Sequence, residues 1–137
     1  MAKVIRSWTL KNGLKLEAID LSKNYYGGYW NVKLVVRGKV RVKPSYLEGM
    51  ITDPLSEEAK EELGGEVEYL RELTKIGVPE DELERVKGEL LSHFERNALP
   101  YMEHRAFPER FVRRRFEEVL KDVRIRKMRE EMDERDL

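Results

Sequence analysis

Residues 29–43 alternate with a period of two. Trp30, Val32, Leu34, Val36, Gly38, Val40 and Val42 are apolar or glycine, while Asn31, Lys33, Arg37, Lys39, Arg41 and Lys43 between them are polar or cationic. Only Val35 departs from the pattern. Such alternation specifies a strand with one face on a core and the other in water. The phase holds across Gly38, which predicts a kink there without an inserted bulge residue. A strand of this length is a spine on which neighbouring strands and covering helices can assemble.

Two apolar runs precede the spine, Val4 to Leu10 and Leu14 to Leu21, joined by Lys11-Asn12-Gly13. This is a hairpin signal. A two-residue Asn12-Gly13 loop would set Leu10 against Lys15 and Trp8 against Glu17. A three-residue loop with Gly13 in the left-handed region sets Leu10 against Leu14, Trp8 against Leu16 and Arg6 against Ala18, which gathers the large apolar groups on one face. The three-residue form is therefore expected. Ser22 to Gly28 reads as a connection rich in turn formers and tyrosine, and Pro44 ends the spine because it lacks a backbone donor. Residues 1–44 are thus predicted to form an antiparallel meander.

Asp53-Pro54 opens a short helix over 55–63, with Glu57 and Glu58 at its positive end and Gly64-Gly65 as its stop. Residues 66–76 admit two readings. Val67, Tyr69 and Leu73 fit a strand, and Ala59, Leu63, Val67, Leu70 and Thr74 fit one continued helix face. Two adjacent glycines cost a helix roughly 2 kcal/mol relative to alanines, which favours a fourth strand broken by Gly77. Pro79-Glu80-Asp81-Glu82 reads as a helix start, with Leu83, Val86, Leu90, Phe94 and Ala98 as the buried stripe and Pro100 as its end or kink. Phe107-Pro108-Glu109 starts the last helix, buried through Phe111, Val112, Phe116, Val119, Leu120 and Val123. Ile125, Met128 and Met132 then fall on the opposite side of that helix. Either the chain turns near Asp122, or this second stripe meets another surface. Glu130 to Leu137 is expected to fray.

The chain has 137 residues, 27 Lys/Arg, 27 Asp/Glu and no cysteine. A total charge of zero implies no anionic partner, but the charge is unevenly spread. Residues 1–50 carry a net +7, 51–104 a net −9, 105–129 a net +6 and 130–137 a net −4. Mutual neutralisation of these segments on folding is the expected outcome. Without cysteine there is no disulfide framework, zinc thiolate site or thiol nucleophile. The N-terminus lacks the apolar run of a signal peptide, and no stretch is long and apolar enough for a membrane span. A soluble cytoplasmic protein is expected.

Four groups of residues are candidates for a functional role. Lys33, Arg37, Lys39, Arg41 and Lys43 share the solvent side of the spine, beside Tyr25, Tyr26, Tyr29 and Trp30. That set would suit a phosphate backbone with stacked bases, or keep a sheet soluble and its edge blunt. Arg110, Arg113, Arg114 and Arg115 lie on the last helix. Arg113 with Glu117 and Arg114 with Glu118 have the spacing of ordinary helix ion pairs, although Arg113 and Arg114 would equally suit an anion. Glu89 and His93 share one helix face, but two ligands do not make a metal site, and His104 lies past Pro100. Ile125, Met128 and Met132 form the off-axis stripe. No nucleophile–base constellation or nucleotide motif is visible, so no cofactor is expected.

Asp20-Leu21-Ser22 followed by Gly27-Gly28 resembles the Asp-x-Ser-x-x-Gly element of the PilZ cyclic-di-nucleotide receptors. The spacing to glycine is longer, however, and the paired arginines that would bind phosphate are missing, Arg6 standing alone, so that assignment is rejected. More broadly, Leu16-Glu17, Asp20, Ser22, Gly28-Tyr29-Trp30 and Val32 occur in order with Asn97-Ala98-Leu99-Pro100-Tyr101 and Phe107-Pro108-Glu109-Arg110-Phe111-Val112. Together they resemble a small bacterial family of uncharacterised proteins. That resemblance implies no activity, cofactor or site.

The expected fold is a single α+β domain with an antiparallel meander of three or four strands and two or three helices on its apolar face. Residues 1–44 are the meander, 54–123 are mainly helical and 124–137 are a charged extension. Trp8, Leu10, Leu14, Leu16, Trp30, Val32, Leu34 and Val36 should line the sheet side of the core. Leu83, Val86, Leu90, Phe94, Phe116 and Leu120 should line the helix side. The expected function is a non-enzymatic module that binds a protein partner or itself through Ile125, Met128 and Met132. The alternative is nucleic-acid or anionic-ligand binding through the cationic row.

Overall fold

The computed structural model describes residues 2–135. It is α+β, with five strands and four α-helices among the described residues: β1 (Lys3–Thr9), β2 (Lys15–Asp20), β3 (Lys23–Tyr26), β4 (Tyr29–Arg41), α1 (Pro54–Leu63), β5 (Glu66–Pro79), α2 (Leu83–Asn97), α3 (Leu99–Met102) and α4 (Phe107–Arg135). Single 3-10 turns cover Pro44–Leu47 and Glu80–Glu82. The chain divides into two compact units, Met1–Lys39 with Glu68–Phe107, and Val40–Val67 with Pro108–Leu137.

In the first unit β4 is the spine. Val32, Leu34 and Val36 are buried at alternate positions, with Lys33, Val35 and Arg37 more exposed between them. The hydrogen-bonded order is β1-β2-β4-β3, and β5 also pairs with β4. The first hairpin takes the three-residue form. Trp8 lies opposite Leu16 and Arg6 opposite Ala18, the Leu10 amide donates to Leu14 O at 2.8 Å, and Gly13 closes the turn at φ 90°. Asn12 holds this turn in place, its Nδ2 donating to Met102 O at 2.7 Å and to His104 O at 3.0 Å. Met102 ends α3, so its carbonyl has no donor within that helix, while His104 O also accepts from the Phe107 amide at 2.9 Å.

The stretch Ser22 to Gly28 is not a plain connection, because it contains β3. Asp20 faces Leu34 and Lys23 faces Asn31 at one offset, and the Leu21 amide donates to Lys33 O between them. β3 therefore continues the line of β2 and turns into β4 at Gly27-Gly28. All four β3 residues are exposed, so no burial alternation could announce the strand.

β5 confirms the strand reading of 66–76 but does not stop at Gly77. As β4 advances through Gly28, Asn31 and Lys33, its partners on β5 and just beyond fall from Glu80 to Gly77 to Glu72, so the pair is antiparallel. The buried positions are Val67, Leu73 and Val78. The step from Leu73 to Val78 changes the face parity, and Gly77 donates to the Asn31 side chain within that step. Pro79 thus ends a strand, and a 3-10 turn separates it from α2.

α2 buries Val86, Leu91 and Phe94. Leu91 takes the inward place expected of Leu90, which is only half-buried. Phe94, 1% exposed, packs against Trp8 with ring centroids 5.4 Å apart, and the Arg71 guanidinium lies 5.8 Å from its ring centre. Burial of such a ring is worth about 2–3 kcal/mol. Pro100 opens α3 as well as ending α2.

The second unit contains the end of β4, α1 and nearly all of α4. β4 stops at Arg41, two residues earlier than expected, so Lys43 leaves the strand and sits 5.9 Å from the Tyr46 ring centre. α1 begins with a capping box in which Asp53 and Ser56 satisfy each other's backbone donors. α4 buries Val112, Phe116 and Val123. It does not turn near Asp122, and residues 130–135, expected to fray, continue it as one helix to Arg135. Residues 109–135 contain neither glycine nor proline, so nothing local interrupts the backbone ladder once it is started. Asp136 and Leu137, the last residues of the expected frayed tail, lie outside the described residues.

Candidate functional site: the open face of the last helix

The cationic row meets acids from both neighbouring strands. Arg37 Nε donates to Glu17 Oε1 at 2.8 Å, with Nη2 at 2.7 Å from the same oxygen. Lys33 Nζ lies 3.3 Å from Glu72 on β5. Lys39 and Arg41 are exposed. Lys39 lines an open cleft of about 570 Å³ together with Ser7, Lys15, Glu17, Arg37 and Glu68. Both signs of charge enter that cleft, so it offers no uniform attraction for a polyanion. The acids were invisible as partners because each lies on a separate strand, far away in sequence.

Tyr25 and Tyr26 on β3 and Tyr29 at the start of β4 are 71%, 77% and 51% exposed at the tip of their hairpin. The Trp30 indole N–H is buried and lacks a hydrogen-bond acceptor. The histidines are engaged locally. His93 Nδ1 lies 3.0 Å from Asn97 Nδ2, and His104 Nδ1 accepts from the Ala106 amide. Glu89 pairs with Arg85. Among the described residues no three potential metal ligands gather.

On α4 Arg113, Arg114 and Arg115 form helix ion pairs, with one change of partner. Arg114 lies 3.8 Å from Glu118, as its spacing predicts, but Arg113 turns back to Glu109 at 3.8 Å and not forward to Glu117. Arg115 also reaches Glu118, at 2.7 Å.

Ile125, Met128 and Met132 are 36%, 61% and 58% exposed. At 100° per residue they project opposite to Phe116 and Val123, which are 0% and 2% exposed. Each flank of α4 between these two faces carries an ion pair to α1 or its N-cap. Arg124 lies 3.7 Å from Asp53, and Arg126 bonds to Glu62. The hydrogen bond from Arg126 to Glu62 holds that guanidinium above its ordinary pKa. Arg124 and Arg126 lie about 100° to either side of Ile125, so both anchors leave the apolar stripe uncovered. No described helix is long and apolar enough to cross a membrane.

Comparison with protein-family models finds no match. Neither curated proteins nor solved structures give one.

Proposed function

We propose that the protein is a non-enzymatic interaction module that self-associates through the C-terminal half of α4. One observation carries this reading: an exposed apolar stripe on a helix whose opposite face already supplies the core. A helix needs only one apolar face to pack in its own chain. A second one, at seam spacing and rimmed by charge, has the composition of a contact surface. The cross-strand acids on Lys33 and Arg37 weigh against a nucleic-acid role for the spine, because cations already matched by carboxylates release fewer counterions from a phosphate backbone.

Native mass spectrometry of the full chain tests the proposal. The expected spectrum contains a dimer that grows with concentration and disappears in Met132→Glu. A monomer at every concentration would refute self-association.

A further inference from the structure

We infer that the occupant of this face is a second copy of the chain, docked antiparallel with Ile125 against the other copy's Met128. The inference rests on the self-association reading and adds the direction and register of the contact. Ile125, Met128 and Met132 recur at spacings of three and four, the seam of a two-helix coil. Residues flanking such a seam meet across it. Here one flank is Glu117, Arg124 and Glu131, and the other includes Asp122 and Arg129.

The signs on these flanks separate the arrangements. In a parallel pair, each residue of the first flank meets the residue five further along in the other copy. Glu117 would then face Asp122 and Arg124 would face Arg129, like against like. An antiparallel pair about a two-fold axis has two registers that join the seam. With Met128 opposite Met132, Glu131 faces its own copy and Arg129 faces its own copy, again like against like. With Ile125 opposite Met128, Arg124 faces Glu131 and Asp122 faces Arg129. Two-fold symmetry repeats both contacts, giving two matched pairs on each side of the apolar centre.

The geometry in the single chain leaves room for this. Arg124 is 54% exposed and only loosely held, 3.7 Å from Asp53, so its guanidinium can also serve a partner. The contact strip over 121–132 is about 18 Å long and about 10 Å wide, well short of the roughly 800 Å² per partner of a standard interface. The dimer is therefore weak and concentration-dependent.

The absence of cysteine from the chain makes introduced thiols a clean reporter. In the favoured register Met132 lies beside the other copy's Lys121, whereas the two Met132 residues are about 16 Å apart along the axis. Under mild oxidation, an equimolar mixture of Lys121→Cys and Met132→Cys should give the mixed disulfide dimer, and each variant alone should stay mostly uncrosslinked. A Met132→Cys homodimer would indicate a parallel pair, and a Met128→Cys with Met132→Cys product would indicate the other antiparallel register. Either outcome overturns the inference and leaves self-association standing, as does a sedimentation dimer without the Lys121–Met132 product. A chain that sediments only as monomer removes both.

Discussion

Gly38 and Lys15 approach so closely that a β-carbon on Gly38 would lie 2.6 Å from the Lys15 carbonyl oxygen. The same atom would be 2.7 Å from Leu16 Cδ2, and Leu16 is the residue Gly38 faces across the β2–β4 ladder. Glycine is thus required because the neighbouring backbone occupies the space of a side chain. Gly38→Ala must push β2 away from β4, at an expected cost of about 1–3 kcal/mol. Urea unfolding should show a lower midpoint at unchanged slope. An unaltered midpoint would show that β2 moves aside freely.

The contrast between Gly38 and β3 shows what the chain announces about itself. The spine and first hairpin were legible because burial alternates along them and Gly13 offers only one turn that keeps the large residues together. The kink expected at Gly38 stood for something tighter, a close approach that depends on a residue over twenty positions away. β3 was illegible because water covers both of its faces. The end of α4 stood open between two readings for a different reason. A turn near Asp122 followed only if every apolar stripe had to be buried in its own chain. The helix instead continues and leaves Ile125, Met128 and Met132 outside. Its flanking charges carry information by position around the helix, which the block charges of +6 and −4 average away.

Asp20 and Lys87 form a shielded ion pair, Nζ to Oδ2 2.7 Å, with side chains 18% and 16% exposed. Burial alone would raise the Asp20 pKa, but the hydrogen bonds from Lys87 and Ser22 outweigh it and hold the carboxyl below its usual 3.8. Because the folded value is the lower one, the pair stabilises the protein above the unfolded pKa of about 3.9. That contribution is lost as pH falls through the folded value. Asp20→Asn should cost about 1–2 kcal/mol at neutral pH, allowing for solvent screening. Melts of both proteins at neutral pH and below about pH 4 should show the gap closing on acidification. A gap independent of pH would contradict the role given to the pair.

Ser56 is completely buried at the first turn of α1. Its hydroxyl accepts from the Thr52 and Asp53 amides, each at 2.9 Å, and donates to Asp53 O at 2.7 Å. Ser56→Ala strands two backbone donors, with an expected loss of about 1–3 kcal/mol. Hydrogen exchange should speed at the Thr52 and Asp53 amides before it changes in the body of α1. Unchanged protection there would mean that another acceptor replaces the hydroxyl.

Self-association through the open face of α4 is the central claim, and sedimentation equilibrium of the wild-type chain beside Met128→Glu tests it most directly. Met128 is 61% exposed, so the substitution should change folding stability by no more than about 0.5 kcal/mol, with helical circular dichroism as the check. The expected result is a wild-type average mass that rises toward twice the chain mass with concentration, while Met128→Glu stays monomeric. A wild-type chain that remains monomeric into the millimolar range, or a variant that dimerises equally well, would contradict it.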